Sequence, residues 1–171
     1  LDRTRDVIAG GATRHQSEER ALEYLRPDIE AGRVDTLLIH DAARPFVRVA
    51  DIEALVTEAR EHRAALLAAP VSDEEVIARV GDDDEILATY ESAGLFRAQT
   101  PQAFDATLLL AVYAEARAAG FEGTDTASSV ERAGVAVRIV PGPVANFKVT
   151  SPHDLQRAET LLRTRGSSTD S

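Results

Sequence analysis

Short apolar runs rich in β-branched residues alternate with longer amphipathic stretches along this chain. The alternation is typical of a three-layer α/β fold, in which helices cover both faces of a mainly parallel sheet. The apolar runs predict strands over residues 6–9, 36–40, 64–69, 135–140 and 147–150. The amphipathic stretches predict helices over residues 17–25, 51–62, 105–119, 126–133 and 151–162. Ser17, Asp51 and Ser151 are placed to cap three of these helices.

The alternation of strands and helices breaks between residues 71 and 104. Residues 75–80 and 85–90 predict two strands joined by an acidic Gly-Asp-Asp-Asp turn, and therefore a hairpin arm over about residues 71–98. A hairpin buries little surface by itself, so we expect it to pack on a second copy of the chain and form a homodimer. The main domain is expected to span residues 1–163, followed by a disordered polar tail over residues 164–171.

Composition limits the classes of function. The chain has 171 residues, of which 44% are hydrophobic, and this is enough for one domain with an ordinary core. It has no cysteine, which excludes thiol nucleophiles, iron–sulfur clusters and cysteine-bound zinc. The formal net charge of −10 argues against nucleic acid or an anionic membrane as a partner. With no membrane-span or signal-peptide pattern, we expect a cytoplasmic protein that binds any anionic substrate in a local basic pocket.

Two motifs place polar residues where predicted strands end. Residues 10–17 (GGATRHQS) lead through two glycines into a helix, where backbone amides could approach a base or a phosphate, or could simply form a turn. In residues 37–47 (LLIHDAARPFV), Asp41 and Arg44 follow an apolar strand, at the edge where ligands of open α/β sheets bind. Arg44 could bind a phosphate, and Asp41 could bind sugar hydroxyls or a divalent metal. The alternative is an ion pair that holds a loop.

The third motif contains the single lysine of the chain, Lys148. It lies in the predicted strand 147–150, where an ammonium group is unfavourable unless it reaches an anion. It could equally lie on a solvated face or extend from an edge strand. Residues 99–104 (QTPQAF) predict a turn before a helix, and Asp125 predicts a helix cap. The four histidines have no metal-site spacing, so any metal ligands are unknown at this point.

Taken in order, six segments resemble the motifs of the 2-C-methyl-D-erythritol 4-phosphate cytidylyltransferase family over about residues 7–162. They are GGATRHQS, HDAARPFV, APVSD, QTPQAF, TDTAS and NFKVTSPHDL. They are similar in style to the cytidylyltransferase half of bifunctional bacterial enzymes. The resemblance implies a Rossmann-like nucleotidyltransferase sheet. It also implies transfer of CMP from CTP to 2-C-methyl-D-erythritol 4-phosphate, with Mg²⁺ and release of pyrophosphate, in non-mevalonate isoprenoid biosynthesis.

The resemblance further implies roles for individual residues. Asp41 and Arg44 match residues that contact the methylerythritol phosphate, and Lys148 matches the lysine that positions its phosphate group. Residues in the first loop match positions around the cytosine of CTP, and these are Gly11, Ala12, Ser17 and, in the same loop, Arg14.

Two features depart from the family pattern. The glycine-rich loop that binds the triphosphate would precede Leu1, so we expect the first strands of the fold to be absent from this chain. In the arm, Glu74 and Ser92 stand where the family has a threonine and an arginine that reach a substrate phosphate across the dimer. These changes leave two alternatives open. One is a cytidylyltransferase for another polyol phosphate, such as ribitol 5-phosphate, and the other is a catalytically inactive binding module.

Overall fold

The predicted α/β organisation is present in the computed structural model, which describes residues 6–72 and 76–167. The described elements follow in the order α1 (Arg14–Glu30), β1 (Thr36–Ile39), α2 (Val49–His62), β2 (Ala64–Pro70), β3 (Val76–Val80), β4 (Ile86–Glu91), β5 (Phe96–Asp105), α3 (Ala106–Ala118), α4 (Thr126–Arg132), β6 (Arg138–Pro141) and α5 (Pro152–Ser167).

The central sheet has the strand order β1-β5-β2-β6. Strands β1, β2 and β6 run in the same direction, as a mainly parallel sheet requires, but β5 runs in the opposite direction between β1 and β2. Two of the three strand pairings are therefore antiparallel. The prediction of a turn over residues 99–104 was wrong, because these residues belong to β5. A buried strand is recognised by an apolar pattern, and here that pattern is interrupted. The interruption comes from Pro101 and from three polar but buried side chains, Gln99, Thr100 and Gln102.

Helices cover both faces of the sheet, and β2 is therefore buried on both sides. Ala64 packs with Leu109 and Val130 in the cluster on the face of α3 and α4. Its neighbour Ala65 packs with Leu55 in the cluster on the face of α2, since successive strand residues point to opposite faces. The core therefore lies in two layers on either side of the sheet, and the loops at the strand ends are left to form a site.

Several predicted boundaries differ from those observed. Residues 6–9 and 147–150 form no strand, and the described structure contains no ladder partner for them. Helix α1 begins three residues before Ser17, and its N-cap is Thr13, which accepts a hydrogen bond from the Gln16 amide. Helix α5 does begin at Pro152 beside Ser151, as predicted, but it continues to Ser167, beyond the start of the predicted tail. Every helix in the described ranges is too short or too polar to span a bilayer.

The predicted hairpin is confirmed as a separate two-stranded antiparallel sheet formed by β3 and β4. Its apolar side chains are largely uncovered, and Val76, Ile86 and Leu87 are each more than half exposed. Such a surface on a small hairpin is typical of a segment that packs against another protein surface.

Candidate functional site

The candidate site is built around Asp41, which follows β1 at the carboxyl edge of the sheet. One carboxylate oxygen, Oδ1, lies 3.2 Å from Nη1 of Arg14. The other, Oδ2, lies 3.0 Å from Nζ of Lys148 and 3.9 Å from Nε of Arg44. Residues that are far apart in the sequence thus bring three cations to one carboxylate. The cluster carries an excess of positive charge, so it can bind an anion.

This environment changes the acidity of the residues at its centre. Burial acts to raise the pKa of Asp41, but the hydrogen bond from Lys148 and the charges of Arg14, Lys148 and Arg44 outweigh it, so the pKa lies below its usual value. The pKa of Arg44 is lowered as well. Burial and the nearby positive charge of Arg14 lower this pKa, and the negative charge of Asp41 offsets them only in part. At neutral pH Asp41 is therefore a carboxylate.

A chain of hydrogen bonds fixes the loop that carries Asp41. Its backbone amide donates to Oγ1 of Thr100 (2.9 Å), which contacts Nδ1 of His40 (3.2 Å). Nε2 of His40 in turn pairs with the carbonyl of Arg44 (3.0 Å). Because a carbonyl only accepts, Nε2 of His40 donates this bond, and in the neutral imidazole Nδ1 then accepts from the Thr100 hydroxyl. Strand β5, which the sequence interpretation missed, thereby positions the Asp41 loop.

Asn146 fixes the loop that carries Lys148. Its side chain is fully buried, and Nδ2 donates to the carbonyl of Thr100 (2.9 Å) and to Oε1 of Gln99 (3.2 Å). Its own carbonyl accepts from Nη1 of Arg44 (2.8 Å). The sequence analysis included Asn146 in the NFKVTSPHDL segment but gave it no role. An asparagine in an apolar segment that ends beside a lysine was the signal that could have identified it.

Lys148 lies in a loop rather than in the predicted strand, and its side chain is 43% exposed. The sequence analysis expected an unfavourable buried ammonium group at Lys148, and this cost does not arise because the side chain reaches solvent. The main chain beside it is fixed by one hydrogen bond, from the Val149 amide to the carbonyl of Ala43 (2.8 Å), rather than by a ladder. This contact joins the Lys148 loop to the Asp41 loop.

The glycine loop lies next to this cluster through Arg14, the first residue of α1. The Gly11 amide donates to the Ser17 hydroxyl (2.9 Å), and the Ala12 amide donates to Oε1 of Gln16 (3.1 Å). Side chains of α1 thus accept from the two amides that the sequence predicted to face a nucleotide. Gly11 has to be glycine here, because a Cβ atom would lie 2.3 Å from Cβ of Gln16.

Arg14 is held from behind by a buried polar network that the sequence did not reveal. Its Nε donates to Oε1 of Glu18 (2.7 Å). Oε2 of Glu18 accepts from the hydroxyls of Thr126 (2.9 Å) and Tyr113, and both of these residues are buried. Burial acts to lower the pKa of Arg14, but Glu18, Asp41 and Asp125 outweigh it and the pKa is raised. Arg14 is therefore a fixed positive charge aimed at Asp41.

The arm residues are not part of this cluster in the described subunit. Ser92 follows β4, is 6% exposed, and accepts on its carbonyl a hydrogen bond from the Leu95 amide (2.9 Å). It packs within its own subunit. Glu74 lies outside the described residues.

Metal ligands were left unknown by the sequence. Within the described ranges, no group of three or more histidine, aspartate, glutamate or cysteine side chains is arranged to hold a metal ion. Asp41 is a possible oxygen ligand, but both of its oxygens already face cations.

Comparison with known proteins points to one family. The model of the 2-C-methyl-D-erythritol 4-phosphate cytidylyltransferase family matches residues 1–164. A cytidylyltransferase of that name from Bacillus licheniformis is 45% identical over 157 residues, which are 92% of this chain and 64% of the relative. The one from Acidobacterium capsulatum is 41% identical over 162 residues, which are 94% of this chain and 66% of the relative. The chain therefore spans just under two thirds of the length of these relatives.

The fold is shared with solved structures of the same family. The crystal structure of the Thermus thermophilus 2-C-methyl-D-erythritol 4-phosphate cytidylyltransferase superposes with a TM-score of 0.77 at 33% identity, covering 91% of this chain and 72% of the other. The shared α/β sheet is that of a nucleotidyltransferase-type fold. The chain belongs to the 2-C-methyl-D-erythritol 4-phosphate cytidylyltransferase family.

Proposed function

We propose that the protein transfers CMP from CTP to 2-C-methyl-D-erythritol 4-phosphate and releases pyrophosphate, as a step of non-mevalonate isoprenoid biosynthesis. The observation that carries this proposal is the convergence of Arg14, Arg44 and Lys148 on Asp41, in a chain that matches this family over most of its length. The reaction would take place in the cytoplasm, where nucleoside triphosphates are available.

The proposed chemistry needs alignment and charge neutralisation rather than a strong base. An oxygen of the acceptor phosphate attacks the α-phosphorus of CTP, and the bond to pyrophosphate breaks, so the electron pair leaves with pyrophosphate. Both reactants are anions that repel each other, and fixed cations offset this repulsion most strongly as charge develops. Lys148 and Arg44 would hold the acceptor phosphate. Arg14 and the loop of Gly11, Ala12 and Ser17 would bind the nucleotide.

Asp41 has two roles in this proposal. Without substrate it holds the three cations together, and with substrate it accepts hydrogen bonds from the hydroxyl groups of the polyol. Mg²⁺ would enter bound to the triphosphate of CTP, as part of the substrate. The described residues do not fit a metal site made of protein ligands, and Mg²⁺ is commonly held by substrate phosphates.

We also propose a homodimer formed through the β3–β4 hairpin, because its exposed apolar side chains need cover. Changing Ile86 to lysine in this hairpin should convert dimer to monomer in light scattering. The same change at Val49, which is 72% exposed at the start of α2 against 65% for Ile86, should leave the dimer intact. A hairpin variant that remains dimeric would place the interface elsewhere.

The function is tested by offering a panel of substrates to a protein that also carries the family's triphosphate-binding loop. CTP, UTP and ATP are each combined with methylerythritol 4-phosphate and with ribitol 5-phosphate, and products are identified by mass. We expect a product only with CTP, and a kcat/KM at least about tenfold higher for methylerythritol phosphate. Preference for ribitol 5-phosphate would support the alternative acceptor. Binding of CTP and acceptor without any product would support an inactive binding module.

A further inference from the structure

A cavity of about 300 Å³ opens beside the Asp41 cluster, and it has a marked positive lining. Arg44 and Lys148 contribute from the two loops already described. Arg97 on β5 and Arg157 on α5 line the same cavity, and none of its lining residues is acidic. Four cations around one small cavity are unusual in a chain with a formal net charge of −10. The local charge therefore favours an anionic ligand.

Arg44 gives an independent indication that this cavity binds an acceptor of hydrogen bonds. Its Nη1 donates to the carbonyl of Asn146, but its buried Nε has no hydrogen-bond partner among the described residues. Asp41 lies 3.9 Å away, which is beyond hydrogen-bonding distance. A buried charged donor without an acceptor is unfavourable, and an anion in the cavity would satisfy it.

Arg157 is held in place by an aromatic side chain rather than by a carboxylate. Its guanidinium carbon lies 4.0 Å from the ring centroid of Phe147, which also lines the cavity and packs against Phe46. In the described part of the chain, no carboxylate forms an ion pair with Arg157. A guanidinium stacked on a ring is pre-oriented and keeps its N–H groups in one plane, a geometry that suits two phosphate oxygens.

The size of the cavity favours the smaller of the two substrates. A volume of about 300 Å³ is at the lower end of the range for small-molecule sites. It suits the phosphate end of a short polyol better than a complete nucleoside triphosphate. Lys148 also borders it, so a phosphate bound there lies next to the Asp41 cluster.

We infer that Arg97 and Arg157, together with Arg44 and Lys148, form a phosphomonoester-binding cleft that determines the affinity for the acceptor substrate. This inference rests on the proposed function, which it extends by two specificity-determining residues from the same subunit. In this cleft the planar guanidinium groups hold the acceptor phosphate, and Lys148 keeps it facing the nucleotide.

The test compares Arg97→Gln and Arg157→Gln with a matched control on the same helix, Arg163→Gln, whose side chain is 81% exposed. Each cleft variant should raise the KM for the acceptor about tenfold, as expected for the loss of one charge-assisted contact, with the KM for CTP within about twofold. Arg163→Gln should match wild type. Arg157→Lys should recover part of the loss, since it keeps the charge but not the planar contact.

A second measurement uses the wild-type protein alone, so it does not depend on how the variants fold. Inorganic phosphate should inhibit competitively against the acceptor and not against CTP. Competition with CTP, or cleft variants that change only the KM for CTP, would overturn the inference. If the wild-type enzyme is active and both cleft variants bind the acceptor as wild type does, the inference is wrong but the proposed function stands. An inactive protein in which calorimetry shows phosphate binding, weakened by both cleft variants, would remove the proposed function but keep the cleft.

Discussion

Glu18 is predicted to stabilise the protein by holding Arg14, and Glu18→Gln tests this. The glutamine keeps the size of the side chain but replaces one oxygen by an amide nitrogen. Oε1 of Glu18 faces a donor of Arg14 and Oε2 faces two hydroxyl donors, those of Tyr113 and Thr126. With the amide nitrogen towards Arg14, donor faces donor. With the amide oxygen towards Arg14, both hydroxyls must turn to accept from the nitrogen, and the carboxylate charge that faces Arg14 is lost in either orientation.

The magnitude follows from burial. Breaking a fully buried ion pair costs about 3–5 kcal/mol, but the Arg14 side chain is 37% exposed while that of Glu18 is 10% exposed. Solvent screening at Arg14 brings the expected loss closer to that of one charge-assisted hydrogen bond, about 2 kcal/mol. For a domain of this size, such a loss lowers Tm by about 4–8 °C.

Urea unfolding measures this loss, and Glu30→Gln on the same helix is the control. Glu30 is 62% exposed and its contact with Arg26 is 3.5 Å long, so its substitution should change the free energy of unfolding by less than about 0.5 kcal/mol. A double-mutant cycle of Glu18→Gln with Arg14→Gln should show a coupling of about 1 kcal/mol. The reasoning would be refuted by equal losses at Glu18 and Glu30, or by no coupling to Arg14.

Three further predictions concern the loops of the site. Gly11→Ala should raise the KM for CTP about tenfold or more, because its Cβ would collide with Gln16, and steady-state kinetics will show this. Asn146→Ala should lower stability in urea by about 2 kcal/mol, since it leaves buried acceptors on β5 without their donor. Asp41 has a lowered pKa, so its stabilisation is present above its unfolded pKa and is lost as pH falls through the folded value. The stability difference between wild type and Asp41→Asn, measured in urea between pH 3 and pH 7, should therefore shrink at the acid end.

The sequence predicted the strands with continuous apolar character and the residues that follow them. Ala64–Pro70 was recognisable because a strand buried on both faces is apolar at every position. Asp41 and Arg44 could be placed at the sheet edge because they directly follow such a run. The order of strands and loops along the chain was enough to place these two residues, because side chains at the carboxyl ends of neighbouring strands meet at one edge of the sheet.

The sequence did not reveal contacts that depend on tertiary packing. Strand β5 carries buried polar residues. Gln99 and Thr100 find their hydrogen-bond partners on distant segments, in the Asp41 loop and in the loop of Pro143 and Asn146. Residues 147–150 have the β-branched composition of a strand but find no ladder partner, because a strand requires a neighbour that composition cannot supply. The Glu18 network likewise joins residues about one hundred positions apart.

The central claim is that Lys148 and its neighbours bind an acceptor phosphate for CMP transfer from CTP. The most direct measurement is the initial rate of formation of the cytidyl diphosphate product from radiolabelled CTP and methylerythritol 4-phosphate. It uses a protein that also carries the family's triphosphate-binding loop, with the sequence otherwise unchanged (wild type) and with Lys148→Gln. Wild type should form this product, and Lys148→Gln should lose about a hundredfold in kcat/KM for the acceptor with the KM for CTP within about twofold. No product from wild type at saturating Mg–CTP, or an undiminished kcat/KM without Lys148, would contradict it.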